Sequence, residues 1–120
     1  MIKGLRGATI WSEDAGRLLP FYRDLLGLPV AIETAGFTVL GTLGGPSLAI
    51  GTHSDVHGRN ADPARHMVGL ETDDVDGDHA RLVSAGVEFV EKPTDYGRLR
   101  IATLRDPEGN LIQLLQPIRS

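Results

Sequence analysis

The sequence predicts an α+β fold built from two βαβββ modules, and three observations carry that prediction. A strand-like stretch followed by an amphipathic helix occurs twice. Each helix leads into three further strand-like segments separated by glycine and proline turns. The landmarks also recur at one spacing: Asp14 and Asp73, like Gly27 and Gly86, stand 59 residues apart. A repeat of that size marks a modular architecture; an α+β domain with accidental symmetry is the alternative.

In the first half, GLRGATIWS reads as a short strand. EDAGRLLPFYRDLLG then places Leu18, Phe21, Tyr22, Leu25 and Leu26 at i, i+3, i+4, i+7 and i+8, the stripe of a helix against a core. Asp14 stands as its cap and Gly27 as its stop. Pro20 implies a kink, or a helix that begins near Leu18 with the proline in its first turn. Strands follow over Pro29–Thr34, Phe37–Thr42 and Ser47–Thr52. In the second half HMVGLETDD is a strand. VDGDHARLVSAG is a helix with Val75, His79, Leu82 and Val83 on one face, and Glu13, Asp14, Asp73 and Asp74 fall at strand ends and helix caps. The remaining strands are Val87–Glu91, Leu99–Leu104 and Asn110–Gln116, with ETAG, LGGP, KPTDYG and DPEG as turns, Asp106 and Gly109 belonging to the last. One domain over 1–120 results, with module one at 2–53, a polar linker at 54–64 and module two at 65–118.

Composition narrows the function. With 120 residues, 41% hydrophobic and 23% charged, the chain suits one globular domain. The net charge is -4, no Lys/Arg cluster occurs and the only lysines are Lys3 and Lys92, so no nucleic-acid partner is expected. The lack of cysteine removes disulfides, thiolate nucleophiles and Cys-based zinc sites. MIKGLRGATIW has no apolar signal stretch and no run approaches the ~20 apolar residues of a membrane helix, so a soluble, cytoplasmic protein without a membrane partner is expected. GTLGGPS lacks the lysine and following helix of a phosphate loop. Ser12, Ser47, Ser54 and Ser84 lack the G-x-S-x-G context of a nucleophile elbow.

FYRDLLGLPV, DDVDGDHARLVSAGVEFV and RDPEGNLIQLLQP, in that order and over nearly the whole chain, resemble the vicinal oxygen chelate superfamily. That group includes glyoxalase I, extradiol dioxygenases, fosfomycin-resistance enzymes and bleomycin-binding resistance proteins. The resemblance implies that the two modules form a curled mixed sheet, a cup with the helices outside (the glyoxalase/bleomycin resistance/dihydroxybiphenyl dioxygenase fold). Strand alternation then turns Gly7, Thr9, Trp11, Ser47, Ala49 and Gly51 toward the cup. Met67, Gly69, Glu71, Leu111, Gln113 and Leu115 follow in the second module. Ala8, Ile10, Leu48, Ile50, Val68, Leu70, Ile112 and Leu114 pack on the helices.

Metal-using relatives carry His, Glu or Gln at four cup-facing positions, which the resemblance sets here on Gly7, Ala49, Met67 and Gln113. Only Gln113 offers a donor suited to a divalent ion, a neutral amide oxygen. No metal and no cofactor is expected. His66 would replace Met67 if the register slipped by one residue, and would still leave only two donors. His53 and His57, in the linker region, and His79, on the helix, are read as unligated.

The function implied is a metal-free small-molecule-binding protein, most similar to the bleomycin-resistance-like members. It would sequester or carry an antibiotic or other partly planar metabolite, as an isologous homodimer. Trp11, Phe37, Val39, Ala49, Met67, Glu71, Tyr96, Arg100 and Gln113 are the ligand-binding candidates. Trp11 either stacks on a flat ligand or fills space or a subunit contact. Tyr96, in a glycine-bounded loop, either closes over a ligand or is a surface residue. Glu71, the one catalytic candidate, pairs with Arg98 or Arg100, meets a ligand, or works as an acid/base. The alternative is a glyoxalase-like lyase or isomerase, or a dioxygenase, acting on a small carbonyl or aromatic substrate. A third is a module whose cup is filled by its own side chains.

Overall fold

A computed structural model describes residues 1–42 and 44–118. Contacts divide the chain into two compact units, Met1–Gly58 and the residues from Arg59 onward. The first holds β1 (Gly7–Ser12), α1 (Ala15–Pro20), β2 (Val30–Thr34), β3 (Phe37–Gly41) and β4 (Ser47–Thr52). The second holds β5 (Val68–Glu71), α2 (Val75–Ser84), β6 (Phe89–Tyr96), β7 (Leu99–Arg105) and β8 (Leu111–Pro117), after a short 3₁₀ turn at Pro63–Arg65. No helix among the described residues is long and apolar enough to cross a membrane.

Strand pairing corrects one expectation. Instead of curling into a cup, the strands make two open four-stranded sheets, ordered β1-β4-β3-β2 and β5-β8-β7-β6. Each is open, with its first and last strands paired on one side only. Four twisted strands are too few to return on themselves and close, which explains the open order. The topology within each sheet is the same: the first strand pairs in parallel with the fourth, and the other pairs are antiparallel.

The repeat is built into the strand–helix junctions. Asp14 and Asp74 are the N-caps, accepting from the backbone N–H of Gly16 and Gly77; Asp73 stands one residue ahead of the cap. Ser12 and Thr72 hydroxyls receive the N–H groups of Asp14 and Asp74. The first helical N–H then finds a side chain of the last strand of its own sheet. Ala15 donates to Thr52 Oγ1 at 2.9 Å, and Val75 to Gln116 Oε1 at 2.8 Å. Helix ends leave such N–H groups unpaired, so both sheets anchor their helix in the same way.

Pro20 ends α1 and forces a change of pitch. Lacking an N–H, it cannot complete the helical ladder. The chain continues as a π turn over Phe21–Leu25, where the Leu26 N–H reaches the Phe21 carbonyl at 2.9 Å. The wider turn keeps Tyr22 as well as Leu18 on the core side, both fully buried with Leu40 and Ile50. In the second unit Val75 and Leu82 from α2 are buried, as are Ala102, Leu104 and Ile112, and the His79 ring packs edge-on against Phe89 at 4.6 Å. KPTDY does not turn: β6 runs through it to Tyr96. Pro93 is tolerated because β6 is an edge strand whose register shifts between Glu91 and Thr94.

Candidate functional site

The helix-free face of the first sheet carries the aromatic candidates. Trp11 and Phe37 both register against Gly51, and Thr9 and Val39 against Ala49, so alternation places all of them on one face. The Trp11 and Phe37 rings lie 5.8 Å apart and tilted by 36°. They remain 42% and 36% exposed. Gly51 makes room for them: a Cβ there would stand 2.5 Å from Trp11 Cζ3 and 2.8 Å from Phe37 Cδ1. His53 holds the indole from another direction, edge-on at 5.3 Å, with its Nδ1 accepting the Asp55 N–H. Beside these rings lies a hollow of about 380 Å3 with Ile32, Phe37, Val39 and Ala49 as apolar lining, Thr9 and Ser47 as hydroxyls, and Arg6. That volume suits a small organic molecule.

The second sheet places Glu71 and Arg100 along a hollow of about 590 Å3, together with Asp73, Asp95 and Gln116. The two are not partners. Arg100 grips Asp76 with two bonds, Nη2 to Oδ1 at 2.9 Å and Nε to Oδ2 at 3.2 Å, and Asp95 with a third at 2.8 Å. Its guanidinium therefore clamps the start of α2 to the end of β6. Glu71 is exposed and forms no ion pair with a described residue; Arg98 does not reach it either.

This clamp has a pH signature. The hydrogen bond from Arg100 holds the Asp76 carboxyl below its usual range. A carboxylate with a depressed folded pKa contributes stability above its unfolded value and loses it as pH falls through the folded one. Arg100→Gln is thus expected to destabilise the second unit at neutral pH and to flatten the decline in stability below about pH 4. Urea unfolding across a pH series reads this; an unaltered acid limb would contradict it.

Tyr96 closes β6 rather than sitting in a loop, and its hydroxyl donates to Glu91 Oε2 at 2.5 Å, raising the phenol's pKa. Gln113 is half-buried, registered between Gly69 and Thr103. Met67 lies one residue ahead of β5 and is 38% exposed.

The four positions that the resemblance assigns to metal ligands carry groups poorly suited to an ion. Gly7 sits where β1 runs against β4, and a Cβ there would stand 2.5 Å from the Ser47 carbonyl oxygen. Ala49 presents a methyl group, and Met67 a soft thioether. Gln113 alone carries an oxygen donor. No group of three or more His, Cys, Asp or Glu among the described residues is arranged to hold a metal.

Two features of the first unit escaped the sequence, and a third, Gly51, was legible only in its facing. Arg6 precedes the first strand and belongs to no motif. Gly51 gains meaning only from the register that sets it beneath two rings. His53 reads as a linker histidine until its ring is found against Trp11. The one available signal was parity: Thr9 and Gly51 share the facing of Trp11.

The chain is similar in structure to several solved proteins. TnmS3, an antibiotic binding protein from Streptomyces sp. CB03234, is 27% identical, with 97% of each chain covered and a TM-score of 0.76. A superfamily member from Sphaerobacter thermophilus DSM 20745 is 24% identical, with 96% of this chain and 98% of that one covered and a TM-score of 0.75. TioX from Micromonospora sp. ML1 is 22% identical over 96% of this chain and all of its own, at a TM-score of 0.70. The family model for the Glyoxalase/Bleomycin resistance protein/Dioxygenase superfamily matches residues 5–114. Two βαβββ units in sequence, with that match spanning both, establish that the chain belongs to this superfamily.

Proposed function

We propose that the protein binds a small, partly planar organic molecule without a metal ion, on the helix-free face of its first sheet. One observation carries this reading. Two aromatic rings, Trp11 and Phe37, stand partly exposed over a glycine that makes space for them, beside a hollow of about 380 Å3. Large exposed apolar rings next to a concavity are costly to hydrate and gain most from covering by a flat ligand. The antibiotic-binding description of TnmS3 supports the same class of ligand, an antibiotic or related metabolite. The donor-poor residues at the relatives' metal positions support a site that works through contact alone.

Trp11 is the only tryptophan in the chain, so its fluorescence reports on this face directly. Protein stripped with a chelator is expected to show saturable quenching by planar polycyclic antibiotics, with no change on adding zinc or manganese. Absence of quenching across such a panel, or quenching that appears only with metal, would contradict the reading.

A further inference from the structure

The hollow beside Trp11 is charged in one sense only. Among the described residues that line it, Arg6 is the sole charged side chain; no carboxylate faces it. Arg6 is exposed and forms no ion pair with a described residue, whereas Arg17, Arg23, Arg65, Arg100 and Arg105 are each matched to a carboxylate. The chain as a whole is acidic, with a net charge of -4. The hollow thus carries one unmatched guanidinium at its rim and no acid in its described lining to balance it.

The chemistry of the lining discriminates between ligands. A cationic ligand would meet repulsion from Arg6 and no compensating acid. A neutral one would gain the apolar contact and at most an uncharged hydrogen bond, without the ion pair. An aromatic carboxylate would rest its rings against Phe37 and Val39 and present its two oxygens to the planar fork of Arg6, whose geometry matches a carboxylate in a bidentate pair. The Thr9 and Ser47 hydroxyls offer further donors on the same face. Resting on the binding site proposed above, we propose that its ligand is an anionic aromatic molecule bearing a carboxylate, and that Arg6 selects for that charge.

Three probes of one shape and different charge test this: naphthoate, naphthamide and naphthylmethylammonium. Binding is measured by calorimetry, and the location by the shift of the single indole N–H resonance of Trp11. Naphthoate is expected to bind roughly fivefold more tightly than naphthamide, a ratio typical of a partly exposed charged hydrogen bond, with the ammonium weakest. Arg6→Gln should abolish the preference by weakening naphthoate far more than naphthamide, Arg6→Lys should restore part of it, and added salt should weaken naphthoate alone. Equal affinities for the acid and the amide, or a preference that persists in Arg6→Gln, would overturn the inference and leave the binding site standing. If none of the three probes moves the Trp11 resonance, the binding site falls and the inference with it. The salt series on the unaltered protein decides the matter even if a variant fails to fold.

Discussion

Gly51→Val is expected to remove ligand binding at the first sheet while leaving the fold in place. Even the Cβ of the new residue would overlap Trp11 Cζ3, Trp11 Cε3 and Phe37 Cδ1, and both rings must then leave their present positions. Because they are partly exposed, they can turn outward, and the stability cost stays near the low end of the roughly 1–3 kcal/mol that overpacking brings. Binding has no such escape, since the surface that a flat ligand would cover is dispersed. A loss of about tenfold or more in affinity is expected, as for an aromatic anchor removed from an interface. The Trp11 emission should also shift toward that of a fully hydrated indole. Retained affinity in Gly51→Val would show that the two rings are not the platform.

The largest effect on stability is expected from Asp106→Ala. Asp106 opens the DPEGN turn and is 4% exposed. Its Oδ1 accepts the backbone N–H of Glu108 at 2.8 Å and of Asn110 at 2.9 Å, and its Oδ2 accepts the Asn110 side-chain amide at 2.7 Å. Alanine would strip three donors of their acceptor at once, in a place where water reaches poorly. Each unmatched buried group costs about 1–3 kcal/mol, so a total near 2–4 kcal/mol is expected after local relaxation. Asp106→Asn keeps one acceptor oxygen and should lose less. Chemical denaturation monitored by circular dichroism compares the two; equal stability of Asp106→Ala and the parent would contradict this role.

The parts of this fold that sequence reveals are those encoded by a local period. Leu18 and Tyr22 announce a helix face, Leu48 and Ile50 a strand face, and all four are buried. Asp14 caps its helix as its position before an apolar stripe implies. What failed depends on distant pairing. Alternation says which way a strand's side chains point but not which strands close on one another, and the expected cup became two open sheets. Proline argued for a turn at KPTDYG, yet an edge strand with a register shift accommodates Pro93. Arg100 finds Asp76 and Asp95 instead of Glu71 because α2 and β6 bring those carboxylates to it. The candidates divide for the same reason. Phe37, Val39 and Ala49 line one hollow, next to Trp11, while Glu71 and Arg100 line a different one in the second unit.

The proposed site requires that Trp11 hold a ligand by contact, with no ion between them. Equilibrium dialysis of chelator-treated protein tests it, comparing the parent with Trp11→Ala and using the polycyclic compound that quenches Trp11 most strongly. The parent is predicted to bind one equivalent per chain, unchanged by added divalent metal, and Trp11→Ala to lose about tenfold or more in affinity. Binding that requires the metal, or that survives intact in Trp11→Ala, would contradict it.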